Sequence, residues 1–163
     1  MKVVSVLRAS ALLLVCGIVA TSQKTVAQTD PSVGTWVLNV AKSKYDPGPA
    51  PKSSTLTIVA AGQGHKIEAK GVDAAGNPTG TQYTSNYDGT DVPVTLTGSQ
   101  DYDAVALKKV DAQRIEGTRK KAGKVVQTYS RVISADGKTM TLTTSGTNAK
   151  GQKINNVVVY EKK

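Results

Sequence analysis

The stretch RIEGTRKKAGKVVQTYSRVISADGKTMTLTTS, residues 114–145, decides the fold. Side chains alternate with a period of two, as in a half-buried strand, and AGK (122–124) and ADGK (135–138) punctuate the alternation. Glycine, asparagine and aspartate supply positive φ or cap their own backbone at low steric cost, so each break reads as a hairpin turn. The pattern extends outward over TWVLNV (35–40), STLTIVA (54–60), HKIEAKGV (65–72), TQYTSNY (81–87), PVTLTG (93–98), DAVALKKV (103–110) and INNVVVYEK (154–162). Apolar recurrence at helical spacing is almost absent. Short connections make sequential strands antiparallel neighbours, and closing the meander hides its two edges. The expectation is an all-β chain: a single antiparallel up-and-down barrel of about eight to ten strands, with a β-sandwich as the alternative. A sandwich calls for a long crossing connection, and the only long irregular segment is residues 41–52.

The first residues, MKVVSVLRASALLLVCGIVATSQKTVAQTD, have the layout of an export signal. Lys2 and Arg8 form the basic region, Ala9 to Ala20 the apolar core, and TVA precedes Gln28 as a cleavage site. The core is shorter than the roughly 20 residues a membrane span needs. Residues 1–27 therefore read as a signal peptide, residues 28–163 as one domain, and the location as periplasmic or extracellular. A lipid anchor at Cys16 is the alternative, disfavoured by the branched Val15 before it. Cys16 is the only cysteine, so the remaining domain holds together without a disulfide. Lys2, Arg8 and Lys24 leave with the signal and no acid does, which lowers the net charge from +9 to +6.

That charge does not make a nucleic-acid protein. Its densest cluster, Arg114 to Lys124, surrounds an Ala-Gly turn and contains no stacking aromatic or recognition helix. It reads as a solvated hairpin tip, and the general basicity suits weak adhesion to an anionic envelope surface. A monomer is expected, with no cofactor.

Gly34-Thr35-Trp36, at the entry to the first strand, resembles the G-x-W signature of lipocalins. DGKTMTLTTSG (136–146) followed by VVVYEK (157–162) is similar to the final two strands of intracellular fatty-acid-binding proteins, relatives of the lipocalins, and GTWVLN resembles their opening. LNVAKSKY (38–45) and PGPAPKSS (47–54) also resemble a family of small exported bacterial proteins, which implies no activity. The lipocalin resemblance implies a structural plug: Gly34 turns tightly into the strand and the Trp36 indole caps the closed end of the barrel. It also implies an interior ligand. Three departures stand out. The Arg-x-Tyr pair that holds a fatty-acid carboxylate corresponds here to Val158 and Tyr160. The late-strand arginine that lipocalins set against the tryptophan has Arg131 as its nearest substitute. The helical lid of the fatty-acid carriers is replaced by AKSKYDPGPAPKS (41–53), whose prolines exclude it from a central ladder and make it either a stiff crossing loop or a rim lip.

Six tyrosines, one tryptophan and no phenylalanine leave a modest, partly polar interior. In TQYTSNY, Tyr83, Ser85 and Tyr87 share the face with the larger apolar area, and buried tyrosine hydroxyls need partners. Gln127, Tyr129 and Arg131 share one face of their strand, and Arg119 shares a face with Ile115 and Gly117. Val125 and Val126 satisfy either register, so periodicity leaves the inward face of residues 125–133 open. If these faces are interior, the barrel holds a cation that must be paired by an acid, by tyrosine hydroxyls or by an anionic ligand. Tyr83, Tyr87, Tyr129, Arg119 and Arg131 are the candidate ligand-binding residues.

Catalytic candidates are thin. His65 is the only histidine and sits beside a turn, where it reads as solvated; a transition-metal site or a Cys-His dyad has no ligand set. Asp88 with Asp91, and Asp101 with Asp103, have spacing compatible with calcium or acid–base chemistry, but aspartate is the common residue of such turns. The expectation is a non-enzymatic binder of a small amphiphilic molecule with an acceptor or negative group. An envelope interaction or structural module with a filled barrel is the alternative. An interior volume above about 300 Å³ with a mouth separates the two.

Overall fold

The computed structural model describes residues 30–163; the expected signal peptide and cleavage site, and Cys16, lie outside them. Eleven strands form one antiparallel sheet among the described residues: β1 Gly34–Leu38, β2 Ser53–Ala61, β3 Gly64–Val72, β4 Pro78–Ser85, β5 Asp88–Pro93, β6 Thr95–Thr97, β7 Ala104–Lys109, β8 Arg114–Lys121, β9 Lys124–Ile133, β10 Thr139–Thr147 and β11 Lys153–Lys162. Their spatial order is β5-β7-β8-β9-β10-β11-β1-β2-β3-β4-β6. Consecutive strands are neighbours from β1 to β4 and from β7 to β11, β4 pairs with β6 and β5 with β7, and β1 pairs with β11 through Trp36↔Lys162 and Leu38↔Tyr160. The result is a nearly closed up-and-down barrel, not a sandwich.

The strand count exceeds the expected eight to ten because the seam splits one segment. PVTLTG is not one strand, and Asp88–Asp91 is not a turn. Residues 88–93 pair with β7, residues 95–97 pair with β4, and Val94 alone joins them. The two ends of the sheet are thus consecutive in the chain.

Local chemistry places the hairpins where the turn residues are. Ala122 and Gly123 both have positive φ (48° and 77°), the two-residue turn whose twist suits a hairpin, and Lys121 pairs with Lys124 across it. Just below, the register shifts: Arg119 faces Gln127 but Lys120 faces Val125. Val126 is the extra residue of this β-bulge. Bulges re-aim side chains, and here exposed Val125 gives way to inward Val126 and Gln127 in succession. This is why the alternation could be read in either register at the two valines.

One end of the barrel is sealed. Trp36, Ile58 and Met140 are fully buried there, joined by Ile115 and Ile133. The indole Nε1 donates to the Ser32 carbonyl at 2.9 Å, and Asp30 Oδ1 accepts from both the backbone and the hydroxyl of Ser32. The cation over the indole is Lys162, 5.0 Å from the ring centroid, not Arg131. Lys162 faces Trp36 directly in the β1–β11 register, whereas Arg131 lies three strands away. Gly34, at φ 136°, leaves room for that lysine: a β-carbon there would stand 3.0 Å from Lys162 Cε.

The proline-rich run neither bridges the mouth nor lines it. Lys44 pairs with Val157, and Asp46 accepts from the Asn155 amide, so the run continues the lane of the short β1 along the edge of β11.

Candidate functional site

Tyrosine and arginine side chains from β4, β8, β9 and β11 converge in the upper barrel. They enclose a cavity of about 120 Å³ lined by Leu56, Ile67, Tyr83, Tyr102, Arg119, Tyr129, Arg131, Leu142 and Tyr160, among others. A second space of about 260 Å³ adjoins it toward the open end. The two share Ala69, Thr81, Tyr102, Arg119 and Tyr160, which makes the second space the mouth of the first. The enclosed part alone is smaller than the roughly 300 Å³ at which drug-sized sites begin. A wider depression of about 500 Å³ lies on the outer face across Lys108, Glu116, Thr128 and Thr143, but it contains no buried charge.

Of the five candidate residues, Tyr83, Tyr129, Arg119 and Arg131 line the cavity together. Tyr87 stands behind it, its hydroxyl taking a hydrogen bond from Arg131 Nη1 at 3.3 Å. Gln127, Tyr129 and Arg131 all point inward, which resolves the face of β9. Tyr87 adopts a left-handed backbone (φ 58°), steadied by a hydrogen bond from its amide to Ser85 Oγ. Such a conformation costs a non-glycine residue about 1–3 kcal/mol, and it turns the ring inward at the β4–β5 corner.

Arg119 belongs to the basic cluster but not to its solvated tip. Its guanidinium lies between two rings, 4.6 Å from the centroid of Tyr102 and 4.8 Å from that of Tyr129. Nη1 donates to Gln127 Oε1 at 3.2 Å and lies 3.5 Å from Thr144 Oγ1. Gln127 in turn donates to the Thr147 carbonyl. The bulge at Val126 sets this arrangement by bringing Gln127 under Arg119.

Arg131 is 5% exposed, and its Nε has no hydrogen-bond partner. Burial pulls its pKa down, but the oxygens of Tyr129, Tyr87 and Tyr83 outweigh that and the guanidinium stays charged. Burial also raises the pKa of Tyr83, Tyr87, Tyr129 and Tyr160, so these rings present neutral hydroxyls. Neither interior arginine forms an ion pair with a carboxylate. All 12 acidic side chains of the chain fall within residues 30–163, so no unseen aspartate or glutamate is left to supply one.

The floor holds a residue that sequence reasoning placed in solvent. His65 is buried at the start of β3, its ring 5.4 Å from that of Tyr87, with Nδ1 unpartnered and Nε2 3.9 Å from Asp30 Oδ2. The turn ends one residue earlier: a β-carbon on Gly64 would lie 2.0 Å from the Ser85 carbonyl, and that close approach draws His65 inward. Burial lowers the histidine pKa, and Arg131 and Lys109 add to the effect against Asp30. Tyr102 was also missed, because it precedes β7 and no alternation marks it.

The carboxylate pairs do structural work, the first on β5 and the second in the loop before β7. Asp88 accepts from the Thr90 amide, Asp101 from the Ala149 amide and Asp103 from the Ala122 amide, while Asp91 pairs with Lys120. Among the described residues no group of three or more His, Cys, Asp or Glu side chains gathers to hold a metal ion. No helix there is long and apolar enough to cross a membrane. The chain matches no protein-family model and no curated protein.

Proposed function

We propose that this protein is an exported, lipocalin-like carrier that holds a small anionic amphiphile inside its barrel. One observation carries the reading: two guanidinium groups line an interior cavity, and the chain supplies no carboxylate to either. A buried charge without a counter-charge costs several kcal/mol, which an anionic guest offsets. Tyrosine hydroxyls around the cations add neutral donors for the same guest. The cations come from β8 and β9, so Val158, standing where fatty-acid carriers keep an arginine, does not remove the anion site. A displacement titration with an environment-sensitive probe tests this by comparing an anionic amphiphile, its neutral analogue and an alkane-like guest. Preference for the anion, lost in Arg131→Met and Arg119→Met, supports the carrier; equal affinity for all three sinks it. The export part of the reading rests on the layout of residues 1–27. Intact mass of the secreted protein checks it: a chain beginning near Gln28 supports it, and an acylated chain beginning at Cys16 overturns it.

The small enclosed volume favours one other reading, an envelope interaction module with a filled barrel. Native mass spectrometry separates them, since a carrier purified from its own cell envelope or medium retains a small molecule and a filled module does not.

A further inference from the structure

We infer that the enclosed part of the guest is a single aromatic ring bearing a carboxylate, seated with the carboxylate at Arg131 and the ring against Tyr83 and Tyr160. This rests on the anion-carrier reading and narrows it to a chemical class.

Size comes first. A dry cavity of about 150 Å³ accommodates benzene, so the 120 Å³ here, open toward its mouth, admits at most one ring and not a folded alkyl chain. The Tyr102–Arg119–Tyr129 stack limits the length of guest that fits beneath it, because Tyr102 and Arg119 belong to both the cavity and its mouth.

The wall argues for a ring. Tyr102 and Tyr129 already hold Arg119 against their faces, and Tyr87 holds His65 and Arg131. Tyr83 and Tyr160 line the same cavity, and among the described residues neither ring stacks on another ring or carries a cation over its face. What each ring turns to the cavity can meet an aromatic guest by offset or edge-to-face contact.

The cation argues for a carboxylate. Arg131 spends Nη1 on Tyr87 and leaves Nε unpartnered, so its unused side is the Nε–Nη2 fork. That fork matches a planar carboxylate with two parallel hydrogen bonds. Arg119 is the less available of the two cations, since its Nη1 is engaged by Gln127 and its guanidinium packs against Tyr102 and Tyr129.

The test is calorimetric titration of the purified protein with benzoate, benzamide, phenylphosphonate and decanoate. Benzoate is expected to bind about tenfold or more tighter than benzamide, which keeps the shape and loses the charge. Decanoate and phenylphosphonate are expected to bind no tighter than benzoate. Arg131→Lys keeps the charge but loses the fork, and should lower benzoate affinity about tenfold. Tyr83→Leu, whose influence on Arg131 falls on both carboxylates alike, should weaken benzoate more than decanoate and serves as the second variant if Arg131→Lys unfolds. Tighter binding of decanoate overturns the single-ring class while leaving an anion carrier. Tighter binding of phenylphosphonate overturns the carboxylate. Failure of all three anions overturns the carrier reading beneath it.

Discussion

Arg131 donates from Nη1 to the hydroxyl of Tyr87, 3.3 Å away, with its guanidinium carbon 5.4 Å from the centre of the same ring. A neutral phenol is thus the only protein group among the described residues that hydrogen-bonds this buried cation. A partner of that kind softens the desolvation of a charge without cancelling it.

Stability and binding should therefore move in opposite directions at this position. Arg131→Met replaces an uncompensated buried cation with an apolar side chain of similar length, and such exchanges are neutral or stabilising. The thermal midpoint of ligand-free protein is expected to stay level or rise by a few degrees. Anion affinity is expected to fall in the same variant. A loss of several degrees in the ligand-free midpoint would show that the arginine is already satisfied by the fold.

Trp36 has no exposed surface and anchors the sealed end through Ser32 and Lys162. Trp36→Ala should cost about 3–5 kcal/mol, the range for large-to-small aromatic changes in a core. Fluorescence of the parent protein should be blue-shifted and poorly quenched by iodide. Exposed emission together with an unmoved unfolding midpoint would contradict the plug.

Two groups at the floor give stability a two-step pH dependence. His65 is neutral in the folded barrel because burial lowers its pKa. The unfolded chain then binds a proton near the ordinary histidine value of about 6.5 while the folded chain does not, so stability is full above that pH and declines below it. Desolvation pushes the Asp30 pKa upward, but the Ser32 hydroxyl and amide and the Lys109 ammonium together hold it at about 2. Its contribution is full above the ordinary carboxylate value and is lost as pH falls from there toward 2. His65→Gln should remove the upper step and keep the lower one in urea midpoints measured from pH 8 to pH 3. An unchanged upper step would assign it to another group.

Gly117 lies on the inward face of β8 opposite Leu107 and Tyr129. A β-carbon there would come 2.0 Å from the Ala106 carbonyl, so alanine must displace backbone. Gly117→Ala is expected to destabilise the barrel by about 1–3 kcal/mol, as overpacking does. It should also disturb Arg119 through Tyr129, visible as lost anion affinity. A neutral result would mean that β7 and β8 shift apart freely.

Period-two alternation was enough to find most of the strands, to turn Tyr83 inward and to put Tyr129 and Arg131 on one shared face, while leaving open which face that was. It worked because one face of each strand is buried and the side-chain period of a strand is fixed. It failed where the backbone departs from regular pleating. The Val126 bulge hid the register of β9, and the seam at Val94 made two short strands look like one. Tyr102 and His65 stand at strand entries, where position relative to a turn says little about burial. Lys162 over Trp36 depended on how β1 meets β11, a pairing set by closure of the whole sheet.

The seam at Val94 has a mechanical meaning. No ladder of paired residues joins β5 to β4 or β6 to β7 among the described residues, so the circumference is completed there by covalent chain instead of a row of hydrogen bonds. A hoop fastened this way can widen by changing a few torsions about one valine while its other strand pairs stay intact. For the proposed carrier, entry of a guest into the tight interior then need not melt any β-ladder, and amide exchange in β5 and β6 should outpace that in β9 and β10.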